Sequence, residues 1–360
     1  MIKQRFPALD IMRGLTLALM ILVNNPGSWS NVYAPLLHAD WNGFTPTDFI
    51  FPFFLFMVGA ALFFSQRSQI QAQVSANQGY KKILRRTFLL FGIGVYLNIF
   101  PFVTPLGEVR ILGVLQRIAL AYMFAAFIVM FAGEKMRWII AACVLFAYWT
   151  ILQFSDQPYS LENSVVRQVD LAVLGANHLW QGKGLAFDPE GLLSTLPAIV
   201  NVLLGFEAAR ILVQGNGSAL TTKKLALLGI VLIVLALVWN IYFPINKSLW
   251  TSPFVLVTSG AGILVLLALS YLETTSIKPL LNWFTPFGKN PLFIYALAFM
   301  WSSVLYTVSV GDNSLYHWLY LQLNRFLDAY NASLLFAVLH VLLFWCVAKY
   351  MEKKNITISF

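Results

Sequence analysis

The residues with the most chemistry to offer lie in one stretch, Asn24 to Gly59, between two apolar runs. It holds His38, Asp40, Asn42 and Asp48, with Trp41, Thr45 and Thr47 interleaved. A histidine titrates near neutral pH and can serve as base or nucleophile. A carboxylate beside it orients the ring, and an amide can polarise a carbonyl. Together these are the parts of an acyl-transfer site. Asp48 opens the second apolar run and Asp40 follows the histidine closely, so either can be the orienting carboxylate. Asn24 closes the first run and supplies the amide. His38, Asn24 and Asp48 are the catalytic candidates. Asp40, Trp41 and Asn42 are candidate contacts to a polar substrate. Polar groups gathered where two apolar spans meet are unfavourable unless they pair or line a cavity, which marks them as a site.

The elements that must position this stretch are membrane helices. Of the 360 residues, 59% are hydrophobic and only 11% charged, with a mean hydropathy of +0.73. Soluble domains carry about 25% charged residues. The composition predicts an all-α polytopic integral membrane bundle of about ten transmembrane helices, one domain over 1–360. Spans need roughly 20 residues each. They are expected at about 8–24, 48–65, 87–104, 110–132, 137–154, 190–212, 223–243, 252–272, 290–310 and 332–350. The segment 155–189 reads as a long polar loop, and 314–330 as an amphipathic surface helix. The N-terminal stretch lacks the cleavage pattern of a signal peptide and is expected to begin the first span. Cys143 and Cys346 both fall in apolar runs and suggest neither a disulfide nor a zinc site.

The net charge of +9 is better explained by basic cytoplasmic loops than by nucleic acid. With an even number of spans and the N-terminus inside, only Arg110, Arg167, Lys183, Lys247 and Arg325 fall outside, and Arg13 and Arg117 fall within spans. All other lysines and arginines, Lys3 and Arg5 among them, collect in the cytoplasmic loops. Both termini are therefore expected in the cytoplasm, with His38 and His178 on the opposite side.

Arg117, in VLQR, lies about two turns inside its expected span, where snorkelling is awkward. It is either part of the site or a structural partner of Asp10, Asp48 or Glu207. Asp10 and Arg13, three apart, read as a local pair. Asp188 and Glu190, in FDPEG, read equally as a helix start or as contacts to a polar ligand. His178 is a weak ligand candidate, His317 belongs on the surface helix, and His340 reads as a core histidine. No metal-ligand cluster, phosphate loop or nucleophile elbow is present in the sequence. A phosphorylated donor would have to use basic residues at the membrane surface: Lys81, Lys82, Arg85 and Arg86, or Lys289 with Asn290.

The ordered blocks LDIMRGLTLALMILVNN, HADWNGFTPTDFIFPFFLFMVG, VRILGVLQR, FDPEG, INKSLWT and the Gly-Lys-Asn before the ninth span resemble the heparan-α-glucosaminide N-acetyltransferase family. The H-x-x-W-N-G and VLQR blocks carry most of the resemblance. It implies a transmembrane acetyltransferase that takes acetyl from cytoplasmic acetyl-CoA to a glucosamine-type amine across the membrane. It also implies His38 as the catalytic histidine and Asn24 as the active-site asparagine, with Asn25 the neighbouring alternative. The chain is shorter than the lysosomal enzyme, without its large luminal domain, so the expected acceptor is a small amino sugar or cell-wall fragment. The expected location is the bacterial inner membrane. The expected partners are the bilayer, acetyl-CoA and the sugar, with a homodimer allowed, and with neither metal nor nucleic acid. Two rival readings are a sugar or peptide transporter without acyl chemistry and a lipid-linked glycan acyltransferase. A transporter commonly shows matched, broken repeats, and none is evident here.

Overall fold

The computed structural model describes residues 6–358, so Lys3 and Arg5 of the expected basic set lie outside it. Ten long helices follow the ten apolar runs: α1 (Pro7–Asn24), α2 (Ile50–Gln71), α3 (Ala76–Ile99), α4 (Val114–Phe131), α5 (Glu134–Leu152), α7 (Thr195–Gln214), α8 (Ala219–Trp239), α9 (Ser252–Leu272), α12 (Pro291–Thr307) and α14 (Ala329–Lys353). Between them lie α6 (Val165–Leu174), α10 (Lys278–Leu281), α11 (Thr285–Lys289) and α13 (Leu315–Asn324). A two-residue antiparallel ladder, β1 (Ser309–Val310) with β2 (Asn313–Ser314), leads into α13. Among the described residues, eight helices are long and apolar enough to cross a membrane. The other two of the ten are α12, which is apolar but shorter, and α3, whose first half carries Lys81, Lys82, Arg85 and Arg86. In hydrocarbon a backbone must satisfy its own hydrogen bonds, so these apolar runs have little choice but helix.

The bundle is built around α7, which packs on α2, α4, α5 and α9. The α2–α7 crossing is set by glycine. A Cβ on Gly59 would lie 1.8 Å from the Val202 carbonyl oxygen, and one on Gly205 would lie 1.9 Å from that of Phe56. Only hydrogen fits at either point, and this close approach is how apolar helices gain contact where lipid removes the hydrophobic drive. Helix α1 packs against α2, α9, α11, α12 and α14. The last turns of the chain return to the same end as the start of α1: Arg13 bonds the Gly288 carbonyl, while Asn290 holds the backbone of Ile356 and Ile358.

Helix α2 runs on to Gln71 and α3 begins at Ala76, not near 87, so Lys81, Lys82, Arg85 and Arg86, expected in a loop, lie on a helix. Three further differences near the site have local reasons. Helix α4 begins at Val114, not near 110, because residues 109–113 form an extended strap. The strap is fixed by Asn98 Nδ2, which donates to the carbonyls of Arg110 (2.8 Å) and Leu112 (2.9 Å), and by Ile111 N–H on the His178 carbonyl. Arg117 therefore lies in the first turn of α4. Helix α7 begins at Thr195, so Asp188 and Glu190 do not start it and sit instead in a turn before it. The 155–189 segment is not all loop: α6 lies within it and buries Val166 and Asp170.

Candidate active site

Asp48 is the anchor. A tight turn, Pro46–Phe49, precedes α2, and Thr45 and Asp48 form its reciprocal capping box. The buried carboxylate accepts through Oδ2 from the amides of Ala39 (3.1 Å) and Thr45 (2.9 Å) and from the Thr45 hydroxyl (3.2 Å). Its Oδ1 is 2.7 Å from Nδ1 of His38. A carboxylate at Nδ1 places the proton there and leaves the Nε2 lone pair free to accept. The ring is 48% exposed, so substrate can reach it. Asp48, not Asp40, is thus the carboxylate on His38. Asp40 has an exposed side chain, and only its carbonyl is engaged, by Lys183 Nζ at 2.7 Å.

A third group completes the cluster. Lys247 Nζ lies 2.9 Å from Nδ1 and 3.2 Å from Nε2 of His38, and 3.4 Å from Asp48 Oδ1. It comes from the α8–α9 connection, which is tied to the His38 loop twice. Gly43 N–H donates to the Ile245 carbonyl at 2.7 Å, and Asn246 Nδ2 donates to Asn42 Oδ1 at 3.2 Å. Burial pushes the lysine ammonium below its ordinary range, with the Asp48 and Glu190 charges opposing. Trp41 closes one side: its Nε1 donates to the Tyr159 carbonyl at 2.7 Å and its ring meets the edge of Phe187. Asn24 ends α1 with its side chain exposed and makes no hydrogen bond to His38. Asn25 is buried, donating to the Ile21 carbonyl and accepting from Ser302.

A second polar group lies behind the cluster. Asp188 takes Arg110 in a two-bond fork at 2.8 and 2.7 Å, and Glu190 takes the same guanidinium at 2.5 Å. Arg117 is fully buried over the Trp250 ring and donates to the Gly191 carbonyl and the Ser194 hydroxyl. It pairs with none of its three expected acids. Asp10 bonds Arg13, Asp48 faces His38, and Glu207 bonds Arg137 and Arg210. Asp170 holds the other side of the same peptide by accepting from the Leu192 amide at 2.8 Å, and burial pushes its carboxyl up to about 7. Arg117 and Asp170 thus hold the 191–192 turn from its carbonyl and amide sides.

The donor candidates separate. A cavity of about 450 Å³ runs between α1, α2, α3, α4 and α12. Arg13, Arg86 and Lys289 bring charge to it, among walls that include Met20, Phe54, Met57, Leu90, Ile118 and Tyr295. From Arg13 to Met20 is about 10 Å along α1, so the cavity reaches well into the bundle. Lys81, Lys82 and Arg85 are exposed on α3 and do not line it. Asn290 is occupied by the C-terminal tail. A cavity of about 550 Å³ near Phe6, Thr222 and Tyr271 has no charged lining residue among the described residues.

The residues that share the site with His38 come from stretches on both sides of α7. The family model described as "Heparan-alpha-glucosaminide N-acetyltransferase, catalytic" matches residues 5–238. The chain belongs to this family. It is 30% identical over 353 residues to the protein of that name from Mus musculus, covering 81% of this chain and 53% of the relative. It is 29% identical over 353 residues to the one from Homo sapiens, covering 81% and 52%. The chain spans about half the length of the curated relatives it matches. The family match takes in His38, Asp48, Arg117 and Asp188 and ends before Lys247. Lys247, Arg110 and Asp170 are not among the candidates that the sequence singles out; for Lys247 a signal exists: it is one of few cations expected outside, within the INKSLWT block.

Proposed function

We propose that this chain is a single acyltransferase unit over 1–360. It takes an acetyl group from cytoplasmic acetyl-CoA to the amine of a small glucosamine-type sugar on the far side of a bacterial inner membrane. The observation that carries this reading is the pairing of two features. A histidine oriented by a buried carboxylate stands at one end of the bundle. An apolar cavity bearing Arg13, Arg86 and Lys289 reaches into the bundle from the other. Phosphates need the cations, and a pantetheine arm tolerates the apolar walls. Arg86 faces Tyr122 with no carboxylate partner among the described residues, so it is the cation freest to take a phosphate.

His38 acts through Nε2. In direct transfer it takes a proton from the sugar amine while the nitrogen attacks the thioester carbon. The N–C bond forms, the C–S bond breaks, and the proton passes to the departing CoA sulfur. In the two-step route Nε2 itself attacks the thioester carbon and the C–S bond breaks to release CoA thiolate; the amine then attacks the acetyl-imidazole, the Nε2–C bond breaks, and the amine proton ends on Nε2. Asn24, exposed at the end of α1, is the candidate to polarise the thioester carbonyl. Asp40, Trp41, Asn42 and Glu190 are the candidates to receive the sugar, with Asp188 and Arg117 holding the turn behind it. The Lys/Arg asymmetry supports a cytoplasmic position for both termini. The test is release of CoA thiol by purified protein given acetyl-CoA and glucosamine. N-acetylglucosamine should appear in equal amount. Absence of thiol release with a panel of amino sugars would refute the reading.

A further inference from the structure

Lys247 does not merely pair with Asp48. Its Nζ is closer to both ring nitrogens of His38, at 2.9 and 3.2 Å, than to the carboxylate at 3.4 Å. Its side chain is 20% exposed, and its connection is clasped to the His38 loop through Asn42 and Gly43. A lysine 209 residues away in sequence is thus brought against the ring.

We infer that Lys247 is a positioning residue whose ammonium charge opposes a second positive charge on the His38 ring; this rests on the acyl-transfer reading. With the ring neutral, the ammonium and the Asp48 carboxylate balance. A proton on Nε2 would set a second positive charge about 3 Å from the first, and like charges at that range disfavour the second ionisation. Asp48 pulls the other way. Its charge is shared, however, among Ala39, Thr45, Lys247 and the ring. The remaining charged groups facing the cluster do not restore the balance. Asp40 is exposed and does not bond the ring, Lys183 adds positive charge beside Asp40, and Glu190 is tied to Arg110.

The test needs no acetyl transfer. Diethyl pyrocarbonate carbethoxylates only the unprotonated imidazole, and modification of the His38 peptide can be followed by mass spectrometry at low conversion. In Lys247→Met the pH midpoint of His38 modification should rise by about one unit relative to the parent. Lys247→Arg, which keeps the charge, should retain the parent midpoint. Lys247→Gln serves as a second uncharged variant if the Met side chain disturbs folding, with gel-filtration elution as the check. An unchanged midpoint in the uncharged variants, or an equal rise in Lys247→Arg, overturns the inference. The low-pH limb of kcat/KM for glucosamine acetylation should move with the midpoint. A parent protein that acetylates no amino sugar would refute the functional reading and leave the carbethoxylation result to decide this one.

Discussion

Replacing Asp48 by Asn changes one atom in the most constrained group of the site. The carboxamide oxygen keeps its place only where the Ala39 and Thr45 amides donate, at 3.1 and 2.9 Å. The amide NH2 then faces His38 Nδ1 and Lys247 Nζ, where Oδ1 accepted at 2.7 Å and 3.4 Å. Two donors cannot face each other, so Nδ1 must become the acceptor and the ring proton must move to Nε2. That removes the lone pair from the atom that faces substrate. Loss of a general base lowers rates by about 10²–10⁴-fold, and a wrong tautomer belongs at the upper part of that range. The fold should survive, since one charged hydrogen-bond partner is lost at about 1.5–3 kcal/mol and no donor of the Thr45 turn is orphaned. The assay is initial CoA-thiol release at saturating acetyl-CoA and glucosamine, with thermal unfolding in detergent alongside. A folded Asp48→Asn protein with near-parental turnover would show that the carboxylate does not set the ring's tautomer, and the site as described would be wrong.

Three further expectations follow from other parts of the molecule. Neutralising Arg86 and Lys289 together should weaken acetyl-CoA binding by about 100-fold at low salt and less at high salt; neutralising Lys81, Lys82 and Arg85 should leave it nearly unchanged, and the reverse pattern would move the donor to the surface of α3. Asp170, raised by burial to about 7 against about 3.9 in an unfolded chain, binds a proton in the folded state that the unfolded chain releases. Its contribution to stability is full below about pH 4 and is lost as pH rises toward 7. Asp170→Asn should flatten that decline in the thermal midpoint, and an undiminished decline would place its cause elsewhere. In a protein freed of Cys143 and Cys346, His178→Cys should react with an impermeant thiol reagent from the side opposite the termini; reaction from the same side would invert the proposed orientation.

Much of the architecture was legible because a helix that crosses hydrocarbon must announce itself as a long apolar run. The site was legible in part. His38 and Asp48 are ten residues apart and share a turn whose caps, Thr45 and Asp48, are local. Lys247 stood out only as one of few cations expected outside; its meeting with His38 depends on a contact between two loops that nothing in either loop specifies alone. The same holds for Arg110, whose fork to Asp188 spans 78 residues. Asp170 was missed because α6 is a ten-residue helix in a polar segment, where no apolar run marks it. Asn290 read as a donor contact. Its engagement with the Ile356 and Ile358 backbone is a long-range clasp that composition cannot reveal.

In the proposed reaction His38 carries the transfer of an acetyl group from one face of the membrane to the other. The direct measurement uses proteoliposomes with acetyl-CoA supplied only on the side of the termini and labelled glucosamine only on the His38 side. N-acetylglucosamine should form on the His38 side, with turnover lower by about 10²–10⁴-fold in His38→Ala while acetyl-CoA binding persists. Unmodified glucosamine accumulating across the membrane, or acetylation undiminished in His38→Ala, would contradict it.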